Sequence, residues 1–291
     1  MIDIIEVAGT TRPEGLADEA AALERGGILL FSEPGFALTT EECALIDTGA
    51  AAGAAKNISL DLTTGTVKGT ELTGPNGDVL KNLMARFAAF ARDLVHAVAP
   101  SYSPGLKTGR TSFRPAEIAG RESSWRKDDR RRHVDAFPST PTHGARILRV
   151  FMNVDQAGTA RQWRVGPDFE SYAKNFLPRV SRLPPGAATL LALTGITKTR
   201  RTAYDQLMLG LHDAAKRDLA WQNTAPARDV SFLPGQVWMV FTDQTPHAAR
   251  AGRNALEQSF YVAPDVMTAP EQTPLAVLSR LTGRNMSRAL I

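Results

Sequence analysis

An α+β fold, with an antiparallel β-sandwich or barrel at its core, helices packed outside and one helix inserted, is predicted by three observations. Apolar residues recur at helical spacing through most of the first hundred residues. After Pro104, short runs rich in β-branched and aromatic residues alternate with turn signals. No strand–helix–strand series and no glycine-rich phosphate loop is present. The boundaries read as a mainly helical N-terminal elaboration over 1–100 and a β core over 101–291, with a helical insertion at about 200–225, all in one compact unit.

Taken in order, residues 15–25 (GLADEAAALER) form an amphipathic helix, and 28–31 form a short apolar strand ended by Pro34 and Gly35. Thr39 followed by Glu41 and Glu42 marks a helix start, because a hydroxyl cap and first-turn acids satisfy and complement free backbone N–H groups. An Ala-rich patch covers 49–55. A long helix runs over 78–98 and stops at Pro100. Strands follow at 133–137, 147–154, 188–193 and 237–241, with the inserted helix at 204–221. In the last stretch, 274–291, Arg280, Arg284 and Arg288 stand four residues apart beside a leucine face. That pattern fits a basic helix resting on an anionic membrane surface, or a helix capping the core.

Composition narrows the function classes. The 291 residues are 43% hydrophobic and 22% charged, the balance of a soluble globular chain. No apolar run approaches the roughly 20 residues needed to span a bilayer, and the start lacks a basic leader, so a cytoplasmic protein, peripheral at most to the inner membrane, is expected. A single cysteine, Cys43, excludes an internal disulfide and a thiolate metal cluster. Any metal must therefore use the five histidines and carboxylates. The net charge is +4, but residues 110–164 alone carry eleven arginines and Lys127 against six acids, a local +6. Arginine in such excess suits bidentate recognition of carboxylate or phosphate, and equally a solvated basic face. A nucleic-acid module is not recognisable in this window, so no nucleic-acid partner is expected.

The residues that carry chemistry are His133, Asp135 and the distant His247. In extended backbone alternate side chains share a face, so His-Val-Asp presents two ligands together. His247, after the strand 237–241, would complete two imidazoles and one carboxylate, the facial arrangement of non-heme Fe(II) oxygenases with coordination positions left open. The same residues also fit a surface histidine beside a capping aspartate and a buried histidine bonded to backbone. Parity along 146–153 puts Arg149 on one face with Ile147, Phe151 and Asn153, and a buried guanidinium there calls for an anion such as a dicarboxylate. Arg149 reaching solvent at a strand end is the alternative.

Several blocks resemble the Kdo hydroxylase family of jelly-roll (double-stranded β-helix), 2-oxoglutarate and Fe(II)-dependent oxygenases. They are SWRKDD at 124–129, HVDAFPS at 133–139, 146–154, RQWRVG at 161–166, 204–213, and 238–260. The resemblance implies iron held by His133, Asp135 and His247, 2-oxoglutarate and O2 as cosubstrates, and release of succinate and CO2. It further implies hydroxylation at C3 of Kdo in the Kdo–lipid A region of lipopolysaccharide, giving Ko. One departure stands out: ten residues beyond His247, where many such oxygenases place a cation for the cosubstrate's C5 carboxylate, this chain has Glu257 and then Gln258. The role falls to Arg149 first and Arg114 second, with Asn153, Trp163 and Gln258 shaping the same pocket and Arg250 and Arg253 as further alternatives. Arg126, Lys127 and Arg130 are candidates for the acidic sugar or a lipid A phosphate, beside the reading of a solvated charge run. His143 reads as exposed, His212 as a packing or rim residue, and His96 as a structural helix end. Two further functions fit the same features: a 2-oxoglutarate oxygenase of another anionic sugar or small acid, and a non-catalytic jelly-roll that binds acidic glycans.

Overall fold

The computed structural model describes residues 2–8, 16–48, 57–181, 183–184 and 186–286. Among them two sheets face one another. The larger has the order β1 (Ile4–Glu6), β2 (Ile28–Phe31), β9 (Val237–Phe241), β6 (Arg146–Asn153), β11 (Ala255–Val262), β5 (Leu106–Arg114), β3 (Ile58–Asp61), β4 (Thr66–Lys68). The smaller is β10 (His247–Ala251), β7 (Arg161–Val165), β8 (Arg228–Phe232). Every pairing is antiparallel except β1 with β2. This is the jelly-roll core with helices outside it.

Strand alternation divides the interior. Val150 and Met152 of β6, with Met239, Phe241, Leu256 and Phe260, face a core capped by the long helix α3 (Gly74–Val98). On α3 the buried residues Leu80, Leu83, Met84, Phe87, Ala91, Leu94 and Val95 recur every three or four positions, the stripe that a 3.6-residue repeat turns to one side. Phe151, Trp238 and Val240 instead face the small sheet, where they meet Trp163, Val165, Phe232 and Ala249. A third cluster joins Val134 to α4 (Phe169–Phe176), α6 (Ala203–Arg217) and α8 (Pro274–Thr282). The functional cleft opens where the second and third clusters meet.

Local expectations fare unevenly. The strand at 28–31 is observed, and so is helix α2 (Thr40–Asp47): Thr39 Oγ1 accepts from Glu42 N at 3.2 Å while the Glu42 carboxylate accepts from Thr39 N at 2.8 Å. The inserted helix is α6, with a short continuation α7 (Leu219–Thr224). The first hundred residues also supply β1, β3 and β4, which the helical reading missed because strands of three or four residues are too short to show a period. Residues 133–137 form no strand; His133 makes one isolated bridge, to His247. Residues 188–193 are not a strand but lie in the helix α5 (Ala187–Leu193), whose alanines and leucines are good helix formers. The C-terminal helix ends at Thr282, where Gly283 takes the left-handed conformation, so Arg284 lies beyond it. Its apolar Val277 and Leu278 are buried and Arg280 pairs with Glu170 at 3.0 Å, so α8 caps the core. The Ala-rich patch and Arg288 lie outside the described residues.

Arg146 is fully buried at the start of β6, pairing with Asp243 at 2.8 Å and donating to Gln244 at 2.6 Å, its guanidinium 4.0 Å from the Phe241 ring centre. Arg146→Met is expected to lower stability by about 3–5 kcal/mol, because Asp243 would be left as an unpaired buried acid. Urea unfolding reads this directly, and the added change Asp243→Asn should restore part of the loss. An unchanged midpoint in the single variant would show the pair contributes nothing.

Candidate active site

Backbone pairing brings the histidines together. His133 N donates to His247 O at 3.0 Å and His247 N to His133 O at 2.9 Å, so the two residues stand opposite each other with ring centres 4.9 Å apart. Asp135 N donates to Thr242 O at 2.8 Å, which keeps 133–135 extended and turns His133 and Asp135 the same way without a regular strand. Behind His133, the buried Arg132 donates to the carbonyls of Gly166, Pro226, Trp221, Gln222 and Ala225, with its guanidinium over the Trp221 ring at 4.4 Å. One ligand atom from each of His133, Asp135 and His247 lies within 4.8 Å of the others, and all three residues are buried.

The donor set fits a divalent metal. Each imidazole points Nδ1 at a carbonyl, His133 at Arg131 O (2.7 Å) and His247 at Thr245 O (2.9 Å). A carbonyl only accepts, so both Nδ1 atoms carry the proton and both Nε2 lone pairs are left as ligands. Burial pushes the pKa of both histidines down, for His133 with the Lys216 charge adding to it, so both are neutral. Burial alone would raise the Asp135 carboxyl, but Arg149 at 2.9 Å and other neighbours outweigh it and hold it below the usual range. Two neutral imidazoles and one carboxylate are what Fe(II) takes in this geometry.

Around the donors lies a cavity of about 230 Å³ lined by Asn57, Arg114, Arg126, Asp129, Phe137, Arg149, Phe151, Arg161, Trp163, His212, Lys216 and Ala249 besides the donors. Trp163 stacks on the His247 ring at 4.9 Å and 20°, fixing the imidazole plane. The Trp163 Nε1 and Asn57 Oδ1 atoms are buried without a hydrogen-bond partner. Five cations, Arg114, Arg126, Arg149, Arg161 and Lys216, meet four carboxylates, Asp129, Asp135, the adjoining Glu257 and the Asp213 that pairs with Arg126. The cavity is net positive, which suits an anion.

The cosubstrate candidates divide on geometry. Arg149 lines the cavity, but its two arms engage Asp135 (2.9 Å) and Glu257 (2.8 Å). Arg114 also lines it and pairs with Glu257, with Asp129 at 3.7 Å. Glu257 sits opposite Phe151 of β6 and Ser112 of β5, so both arginines reach it diagonally on the same sheet face. Gln258 therefore points to the opposite face, where it accepts from Thr111 Oγ1 at 2.6 Å and donates to Ser259 O, and its expected place in the pocket is corrected by that single residue of parity. Asn153 is corrected too: its amide donates to Thr159 O and Phe232 O and accepts from Asp155 N, holding loops rather than ligand. Arg253 pairs with Asp155, and Arg250 donates to Arg130 O.

The arginine missed by sequence reasoning is Arg161. It shares the inward face of β7 with Trp163, is 4% exposed, and its guanidinium donates to Gly252 O at 3.1 Å. Burial, together with the neighbouring Arg114 charge, pulls it down to about 9. The signal was present as the alternation Arg161, Trp163, Val165 along a strand.

Of the basic run, only Arg126 reaches the cavity, while its Nε bonds Asp213 at 3.0 Å. Lys127 is exposed and Arg130 grips Asp128 at 2.8 Å, and neither lines the inner cavity. His212, on α6, is a rim residue: its ring lies edge-on to His133 at 5.1 Å and Nδ1 lies 3.0 Å from Asp213 Oδ1. Lys216, one turn further along α6, was not foreseen. His143 is a half-exposed loop residue, and His96 bonds Ser103 at the end of α3. A second cavity of about 620 Å³, lined by Arg126, Arg179, Gln206, Asp213, Arg217 and neighbours, adjoins the first at Arg126.

Residues 7–285 match the family described as 3-deoxy-D-manno-oct-2-ulosonic acid (Kdo) hydroxylase. The chain is similar to the crystal structure of the Kdo hydroxylase KdoO, a non-heme Fe(II) α-ketoglutarate-dependent dioxygenase, in complex with α-ketoglutarate (2-oxoglutarate) and Fe(III). Identity is 40% over 98% of this chain and 97% of that one, with a TM-score of 0.92. It is similar to the cobalt(II) complex of KdoO at 41% identity, over 99% and 97% of the two chains, TM-score 0.92. For the complex with succinate and Fe(III) the values are 40%, 98%, 97% and 0.91. A search of curated protein sequences returns no significant match.

Proposed function

Because the chain belongs to the Kdo hydroxylase family, we propose that it hydroxylates C3 of Kdo in the Kdo–lipid A region of lipopolysaccharide, forming Ko. It is an Fe(II)/2-oxoglutarate-dependent dioxygenase, and the observation that carries this is the buried His133, Asp135 and His247 donor set beside a net-positive cavity. Bound iron supplies O2 activation coupled to decarboxylation of 2-oxoglutarate, one oxygen atom going to succinate and the other into the sugar C–H bond. The protein's share is positioning and exclusion of water.

His133 and His247 are held in the ligating tautomer by Arg131 O and Thr245 O, and Trp163 prevents rotation of the His247 ring. Arg149 keeps Asp135 ionised. With Arg149 and Arg114 committed to Glu257, Arg161 is the anchor for the cosubstrate's distal carboxylate. A cavity of about 230 Å³ filled by the five-carbon diacid leaves little space, so an eight-carbon sugar approaches from the larger opening past Arg126. Kdo C3 is a methylene one bond beyond the carbon that bears the carboxylate. A cation that grips that carboxylate thus also fixes which C–H bond faces the metal, and Arg126, at the junction, is placed for this. Iron(II) and 2-oxoglutarate are reagents of a reducing compartment, which supports action on the cytoplasmic side of the inner membrane.

Anaerobically iron-loaded protein, given 2-oxoglutarate, O2 and Kdo-bearing lipid A, is expected to release succinate and add one oxygen atom to Kdo. C3-deuterated substrate should lose one deuterium per turnover. Product that keeps both deuteriums would overturn the C3 assignment, and succinate formation with no change in sugar mass would overturn the substrate.

A further inference from the structure

We propose that α5 and the turn after it, residues 187–198, form a membrane-entering knob that seats the enzyme on an anionic lipid surface beside its own active-site mouth. Leu190, Leu193 and Ile196 are 63%, 80% and 59% exposed, three large apolar side chains within seven residues. A folded surface does not normally hold such a group at one point unless something covers it.

The backbone beneath them suits entry into lipid. Leu190 N donates to Gly186 O, Thr194 N to Leu190 O, Gly195 N to Ala192 O and Thr197 N to Leu191 O, while Thr194 Oγ1 donates to Leu190 O. These backbone groups and the Thr194 hydroxyl are thus paired inside the knob, with the buried Thr197 Oγ1 left without a partner, and pairing of this kind lowers the cost of leaving water.

Charge identifies the occupant. Between Glu170 and Asp205 the chain has no acidic residue in 34 positions and six basic ones: Lys174, Arg179, Arg182, Lys198, Arg200 and Arg201. Lys174 pairs with Glu170, Arg179 with Asp218, and Arg201 is buried against Pro138 O, so the cations beside the ridge are the exposed Lys198 and the half-buried Arg200. Apolar side chains followed directly by lysine and arginine match an anionic phospholipid headgroup layer over an acyl region. An apolar protein partner would not call for the cations.

Placement connects the knob to catalysis. Lys198 N donates to Ser139 O at 2.9 Å and Arg201 Nη2 to Pro138 O at 2.6 Å, tying the segment to the loop that carries Phe137 into the inner cavity. Arg179, Val180 and Ser181, at the other end of the acid-free stretch, line the outer cavity. Seated this way, the knob would present the cleft to a sugar whose lipid stays in the bilayer; that purpose rests on the lipid-linked substrate proposed above, whereas the binding itself does not.

The test is co-sedimentation of the full-length, iron-loaded protein with phosphatidylglycerol/phosphatidylethanolamine vesicles, against vesicles of phosphatidylcholine alone, with no Kdo present. Partition is expected on the anionic vesicles, reduced by added salt, and at least about tenfold weaker in the triple variant L190S/L193S/I196S. Thermal stabilisation by iron and 2-oxoglutarate should be unchanged in that variant, which shows that the site is folded. Absence of wild-type partition, or equal partition by the triple variant, would overturn the proposal. So would a vesicle-independent dimer that the same substitutions abolish, since a second copy would then cover the ridge. Vesicle binding without Kdo hydroxylation would leave the knob standing and remove the substrate.

Discussion

Asp135→Ala is expected to abolish succinate formation and iron retention together. Asp135 is the one anionic donor of the three, and its carboxylate also faces Arg149 at 2.9 Å. Without it, two neutral imidazoles confront a buried guanidinium whose remaining ion pair is with Glu257 at 2.8 Å, a field that repels a dication. Loss of an outer partner of a metal ligand already costs about 10–100-fold, so loss of a charged ligand should bring turnover below about a thousandth of wild type. Asp135→Asn, which keeps the shape and removes the charge, should fail nearly as badly. The fold should survive, because Arg149 keeps its bond to Glu257 and the histidine bridge is backbone-made. The measurements are iron content after anaerobic loading, succinate yield and thermal unfolding. A folded Asp135→Ala protein that retained iron and a tenth or more of its turnover would remove Asp135 from the ligand set.

That the donors could be read from sequence follows from their physics. Extended backbone of any kind alternates its side chains, so His133 and Asp135 share a side although 133–137 is not a strand. His247 was found because only five histidines were available. The anion-binding residues were harder, since parity says which face a residue takes and not what already occupies it. Glu257, passed over as a departure from the expected cation, draws in both Arg149 and Arg114 and so leaves the outer role to others. Arg130, Arg131 and Arg132 looked like one basic surface, yet the first two meet Asp128 and the third is buried against five carbonyls. A run of like charges in sequence says nothing of partners distant in the chain. The short strands β1, β3 and β4 and the helix α5 escaped for a related reason: three to seven residues carry too little period, and tertiary pairing decides them.

Arg161 gives the most discriminating expectation. A guanidinium 4% exposed, beside Arg114 and pulled down to about 9, is held in the interior at a cost. Two consequences follow, of opposite sign. In the protein without cosubstrate, Arg161→Met removes a poorly compensated buried charge and fills its space with a similar volume, so stability should hold or rise by about 1–4 kcal/mol. In the presence of 2-oxoglutarate the same change deletes the charge that meets the distal carboxylate. Truncating one side of a buried charged pair costs about 2–5 kcal/mol, so the KM for 2-oxoglutarate should rise between about thirtyfold and several thousandfold. The KM for the sugar and the iron content should stay near wild type, because His133, Asp135 and His247 do not touch the anchor's role. The gain in melting temperature on adding 2-oxoglutarate to the iron-loaded protein should disappear in the variant. Arg161→Lys should recover only part of the affinity, since an ammonium cannot make the two parallel bonds that a guanidinium offers a carboxylate. Arg149→Met should behave differently, losing iron as well as cosubstrate, because it uncovers Asp135 and leaves Glu257 to Arg114 alone. If Arg161→Met binds 2-oxoglutarate as wild type does while Arg114→Met does not, the anchor is Arg114 and the pairing with Glu257 must open when the cosubstrate enters.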